Sequence, residues 1–262
     1  MSSVLLSFDI EEFDMPFEYG RNLPLNEQLA ISQEGCSHIM NLLRLHDARA
    51  TFFSTVVFAQ NSPEILRDIK QRSHELASHG YYHSSFSTNH LLDSRVELAR
   101  LSGMDVTGFR MPRMMPVDDA AIEQAGYRYN SSINPVWLPG RYDNRDKPRT
   151  YFKIGNVWQL PASATPRLRV PLFWLSFHNF PLGTYMRMCR KTIAQDGYLN
   201  LYFHPWEFTD LHPSRLGMPW YVRRNSGAQM QDRFARLLDW MKTEGYRFQT
   251  ITDFSASFSN MR

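Results

Sequence analysis

A chain of 262 residues, 43% hydrophobic and 21% charged, can bury a sizeable core, and its length suits one barrel of strands and helices. A formal charge of +3, with no run of like charges, no repeat and no low-complexity tract, gives no nucleic-acid footprint. Residues 1–8 lack an export pattern, the apolar stretch 170–180 is too short and too interrupted to span a bilayer, and Cys36 and Cys189 read as free thiols, so a cytoplasmic protein is expected.

Residues 4–10 are a short apolar run rich in strand formers, ending in a burst of acid: Asp9, Glu11, Glu12 and Asp14. Leu29, Ile39, Met40, Leu42 and Leu43 then recur at helical spacing over 28–45, and 50–55 form the next strand. Ser62 and Pro63 open a helix, Ser as cap and Pro at the first helical position, where a missing N–H costs nothing. Apolar Leu76-Ala77 end a buried strand that runs into Ser78-His79-Gly80-Tyr81-Tyr82-His83. Histidines four apart share a face if they lie on a helical turn or a loop curled like one, which is what a divalent metal requires. Taken alone, the pair reads first as two unrelated histidines.

A helix over 91–101 stops at Ser102-Gly103 and leads to a strand at 106–110 that carries Arg110. Gly126-Tyr127, Gly197-Tyr198 and Gly245-Tyr246 each follow a helical pattern. The glycine takes the left-handed turn past the helix end and the aromatic starts the next strand, giving strands at 127–133, 200–204 and 248–251. Met230, Phe234, Leu237, Leu238 and Met241 mark an amphipathic helix over 229–243. Alternating strands and helices mean parallel strands covered by helices, hence a barrel or an open α/β sheet. One domain over 1–262 is expected. Residues 134–182 break the alternation and read as inserted loops over the mouth, with a strand at 157–160.

In such a fold the carboxyl ends of the strands converge, bringing Asp9, Glu11, His79, His83, Arg110 and His204 to one face. One carboxylate with two imidazoles is an open metal site of the hydrolase kind, where a metal lowers the pKa of water and polarises a carbonyl.

Phe8-Asp9-Ile10-Glu11, Ala50-Thr51-Phe52-Phe53, His79-Gly80-Tyr81-Tyr82-His83, Phe109-Arg110-Met111-Pro112 and Leu201-Tyr202-Phe203-His204-Pro205-Trp206-Glu207 resemble, in order and spacing, successive motifs of the polysaccharide deacetylases. This is the NodB-homology or carbohydrate esterase family 4 group, and the spacing is similar to its subgroup with Asp-x-Glu in the first motif. The resemblance implies a distorted (β/α)7 barrel with an irregular inserted lobe. It also implies hydrolysis of an N-acetyl group on an amino sugar, in a polysaccharide, glycolipid or nucleotide-sugar precursor of surface glycans. One divalent ion would assist, zinc first, with cobalt, nickel or manganese as alternatives.

Carried over residue by residue, the resemblance makes Asp9 the general base and Glu11, His79 and His83 the metal ligands, with Glu12 or Asp14 open as replacements for Glu11. Arg110 would pair with Asp9, His204 would be the general acid, and a backbone N–H near Arg113 would help hold the oxyanion. Arg113, Tyr82, Trp206 and Glu207 are the expected substrate-binding residues. The aspartate that often tunes the family's catalytic histidine is missing from 129–134, so Glu207 or Asp210 is expected to replace it, or His204 works untuned. His38, His46, His74, His90, His178 and His212 are assigned to the structural background, Trp137, Trp158, Trp174, Trp206 and Trp220 to packing with one or two of them lining the groove, and Arg141, Arg145, Arg149, Arg167 and Arg169 to a solvated face, with phosphate of a nucleotide-linked or lipid-linked sugar as the alternative. Peripheral membrane contact and oligomeric state stay open. So do two other functions, a small cyclic-amide hydrolase of the allantoinase type and a catalytically silent glycan-binding protein.

Overall fold

A computed structural model describes residues 2–260. Strand β1 (Ser3–Ile10) lies near one end of the sheet and is buried on both faces. The two-residue period of a strand sends Val4, Leu6, Phe8 and Ile10 outward, where they meet Ile39, Phe234 and Leu237 of the covering helices in the main core. Leu5, Ser7 and Asp9 point the other way. Leu5 packs with Phe53, Ala77 and Tyr129 inside the barrel, while Ser7 and Asp9 meet Arg110 above them.

The remaining strands are β2 (Thr51–Ser54), β3 (Glu75–Ser78), β4 (Gly108–Phe109), β5 (Tyr129–Asn130), the hairpin β6 (Trp137–Leu138) and β7 (Tyr142–Asp143), β8 (Phe152–Ile154), β9 (Val157–Gln159), β10 (Tyr198–Phe203) and β11 (Arg247–Gln249). The main sheet runs β10-β1-β2-β3-β4-β5-β9-β8, and β11 joins β1 along Ser3–Leu5, before β2 takes over at Ser7. All pairings in it are parallel except β8 with β9. The sheet curls into a distorted barrel of the expected kind whose seam, between β9 and β10, is not closed by strand pairing. Asn200 bridges it instead, donating from Nδ2 to the carbonyls of Leu160 and Pro161 at 3.1 Å each.

The punctuation in the sequence has its expected structural meaning. Gly126, Gly197 and Gly245 all sit at positive φ (82°, 78° and 73°) where a helix turns into the next strand. Helix Ala228–Thr243 buries Met230, Phe234, Leu237, Leu238 and Met241 completely. Ser62 does precede helix Pro63–Gln71, but its hydroxyl makes no cap and accepts from Gln33 instead. The strand expected at 157–160 is β9, so part of the irregular region belongs to the main sheet. The rest contributes the β6–β7 hairpin and the short helix Trp174–Asn179.

One close approach fixes the loop after β10. A Cβ on Gly35, in helix Leu25–Leu45, would lie 1.9 Å from the backbone oxygen of Pro205. Only glycine lets that helix press against the backbone next to His204. Among the described residues, no helix is long and apolar enough to cross a membrane.

Candidate functional site

Asp9 at the end of β1, Glu11 just past it, His79 and His83 after β3 and His204 after β10 line one cleft, with Arg110, after β4, buried behind Asp9. Parallel strands place these ends together, because they all run the same way through the barrel.

Glu11 Oε2 lies 3.0 Å from His79 Nε2 and 3.0 Å from His83 Nε2, and the candidate ligand atoms of all three residues fall within 4.8 Å of one another. Residues 79–88 are loop rather than helix, yet the two rings stack at 5.7 Å with 26° between their planes. Each ring is held from behind. His79 Nδ1 donates to the Arg110 carbonyl at 2.9 Å, and His83 Nδ1 donates to Asp14 Oδ1 at 2.7 Å. With Nδ1 committed to an acceptor, a neutral ring presents the bare Nε2 lone pair to its partner.

Glu11 Oε2 is buried with no hydrogen-bond partner. Three lone-pair donors converging on a dry point repel unless a cation or protons lie between them, so this donor set fits a divalent metal of the nitrogen- and oxygen-liking kind. Protons compete for the same place. Burial pushes the Glu11 carboxyl up, but the charge on His83 and the nearness of His79 outweigh it and hold Glu11 down at about 2. Burial lowers His83, yet Glu11 and Asp14 overcome this and raise it to about 9.

The other acids of the first motif are used elsewhere. Glu12 turns away and accepts from Thr55 Oγ1 at 2.5 Å, and burial raises its pKa. Asp14 stands behind His83 and also takes Ser84 Oγ and, at 3.0 Å, Arg113 Nη2.

Asp9 Oδ1 accepts from Arg110 Nη1 at 2.6 Å. The guanidinium is wholly buried, donating to Ser7 Oγ, Ser131 Oγ and the Ser131 carbonyl, and lies 4.0 Å over the Phe53 ring. Asp9 Oδ2 faces His204 Nε2 at 3.9 Å. Behind His204, Nδ1 donates to Glu207 Oε1 at 2.9 Å, and the same oxygen takes the His204 backbone N–H at 2.5 Å. Burial would lower the His204 pKa, but Glu207, Glu11 and Asp9 together raise it. Of the two carboxylates considered for that partner, Asp210 is exposed and bonds His212.

The cleft encloses about 260 Å3. Tyr142, Phe173, Trp174 and Tyr202 supply aromatic walls, with Trp174 edge-on to His204 at 5.5 Å. At the rim Glu18 accepts from Arg113 Nε at 3.1 Å and Arg141 Nη2 at 2.6 Å. Of the four residues expected to bind substrate, Arg113 alone lines the cleft. Pro205 starts a tight turn that carries Trp206 and Glu207 inward. Trp206 stacks beneath His204 at 4.8 Å and donates Nε1–H to Glu11 Oε1 at 3.4 Å. Tyr82 is half-exposed outside the cleft, against Tyr81 and His90, because Gly80 at φ 85° turns the loop outward. Sequence reasoning missed Tyr142, from the irregular region, which has no periodicity to orient a side chain, and assigned Arg141 first to a solvated face, whereas it lines the cleft. Arg145, Arg149 and Arg169 are tied to Asp143, Asp196 and backbone carbonyls.

Residues 3–130 match the family model described as polysaccharide deacetylase. No curated protein matches by sequence. Among solved structures, a Mycobacterium smegmatis protein assigned as a polysaccharide deacetylase superposes with TM-score 0.65 at 16% identity, covering 99% of this chain and 90% of the other. Puue allantoinase gives TM-score 0.65 at 16% identity over 96% and 88% of the two chains. The Bc1960 peptidoglycan N-acetylglucosamine deacetylase gives TM-score 0.54 at 16% identity over 96% and 86%.

Proposed function

We propose that this chain, whose residues 3–130 match the polysaccharide deacetylase model, is an amide-bond hydrolase that removes an N-acetyl group from an amino sugar with the help of one divalent metal ion, zinc first among the candidates. The observation that carries the reading is the 3.9 Å gap between Asp9 Oδ2 and His204 Nε2, opening beside the Glu11, His79 and His83 cluster in one cleft.

Glu11, His79 and His83 would hold the ion, which when bound acidifies water and polarises the acetyl carbonyl. The chain's own residues do the rest. Asp9 takes the proton of the attacking water, and its pairing with buried Arg110 through Oδ1 leaves its other oxygen aimed at the cleft. Water oxygen bonds to the carbonyl carbon, the C–N bond breaks, and His204 Nε2 gives its proton to the departing nitrogen. Acetate and the free amino sugar leave. Glu207 holds His204 by Nδ1, so the donating nitrogen faces the substrate. The aromatic walls suit the apolar faces of a sugar ring, and the Arg113 and Arg141 rim suits a sugar bearing a negative group.

A cyclic amide is the second reading, favoured by the fold-level likeness to Puue allantoinase and by the small cleft. Acetate release is to be measured over N-acetylated sugars and chitin oligosaccharides, with allantoin hydrolysis run alongside. The protein is stripped with chelator and then reloaded with zinc or cobalt. Metal-restored acetate release supports the deacetylase. Allantoin turnover alone selects the second reading, and glycan binding with neither reaction selects a silent binding protein.

A further inference from the structure

Glu207 does not end the chain of contacts behind His204. Its other oxygen, Oε2, accepts from His178 Nε2 at 2.9 Å, and His178 Nδ1 donates to the Arg224 carbonyl at 2.7 Å. Both side chains are fully buried. A carbonyl oxygen accepts only, as does an ionised carboxylate, so both ring nitrogens of His178 face acceptors. The ring is fixed by Trp174, edge-on at 5.7 Å, and Asn225 Nδ2 anchors the His178 backbone carbonyl at 2.5 Å.

We propose that His178 is a positioning residue for the reaction, donating to Glu207 Oε2 so that Glu207 Oε1 stays aimed at His204 Nδ1 and His204 Nε2 stays aimed at the cleft. Remove that donor and Glu207 keeps a buried oxygen with nothing to accept from, a state a carboxylate escapes by rotating or admitting water. Its rotation releases His204. The consequence for rate rests on the deacetylase reading; the consequence for the His204 ring does not.

His178→Leu keeps bulk and removes the donors, whereas His178→Gln keeps an amide that can still donate to Glu207. Side-chain 15N spectra of the full chain report which nitrogen of His204 carries hydrogen. Acetate release from a chitin oligosaccharide by the zinc-loaded protein gives kcat and KM. In His178→Leu the Nδ1–H form of His204 gives way to a mixture, and kcat falls by about 10- to 100-fold with KM within about twofold. In His178→Gln both return most of the way to wild type. Should the leucine variant fail to fold, His178→Asn, too short to reach Glu207, replaces it in the comparison. A folded variant without the donor whose His204 spectrum matches wild type overturns the proposal. If the wild type releases no acetate, the deacetylase reading falls by itself, and the 15N spectra still decide the role of His178.

Discussion

His83 Nδ1 lies 2.7 Å from Asp14 Oδ1, and this contact decides which nitrogen of the ring faces Glu11. A carboxylate behind a metal-binding imidazole fixes its tautomer and makes the other nitrogen a better donor. Asp14→Ala is accordingly expected to weaken zinc binding by about 10- to 100-fold, and Asp14→Asn, which keeps an acceptor but no charge, by less. Titration calorimetry with zinc measures both. Equal affinity in all three proteins would make Asp14 a bystander.

Asp9 pairs with Arg110 and faces His204, not the two histidines of the cluster, so the proposed base and metal roles are separable. Asp9→Asn retains an oxygen for Arg110 and removes the proton acceptor. Expected is a fall in kcat of about 10²- to 10⁴-fold with zinc stoichiometry unchanged. Parallel loss of metal would show that Asp9 works as a ligand.

The raised pKa of His204 has a sign that activity can report. As the proposed acid His204 must hold its proton, so activity is expected to decline as pH rises through its pKa, and the interaction with Glu207 moves that decline upward from the ordinary histidine value. Glu207→Gln removes the negative charge that favours the imidazolium. The alkaline limb of kcat/KM moves to lower pH in that variant. A limb that stays in place would assign it to another group.

Gly35 offers a test at a distance. Glycine-to-alanine at this helix position drives a methyl into backbone that cannot rotate aside, at 1.9 Å from Pro205 O. Gly35→Ala is expected to cost about 1–3 kcal/mol of stability in urea melts. It should also lower kcat, because the displaced segment carries His204.

Much of this site could be read from the chain, and the reasons are local. Ser7, Asp9 and the core-facing Phe8 follow from the two-residue period of one long strand, and the glycine–tyrosine pairs follow from helix-end geometry. A parallel α/β fold then brings the strand ends together. What sequence did not reveal depends on contacts between distant segments. Glu12, Glu11 and Asp14 are equivalent acids until a loop gives one to Thr55, one to the histidines' inner nitrogens and one to an outer nitrogen. His178 reads as background because its partner Glu207 lies 29 residues away, beyond a helix and strand β10. His74, by contrast, is background in fact, accepting from the Ala50 backbone beside Phe52. Tyr82 misled through its adjacency to His83, since neighbours in a loop need not share a side.

Glu11, His79 and His83 are proposed to grip one divalent cation at the foot of the cleft. Elemental analysis after zinc loading and exhaustive dialysis tests it most directly, on wild type and on folded His79→Ala. About one zinc per wild-type chain and almost none in the variant is the predicted result. Equal zinc in both proteins would contradict the account.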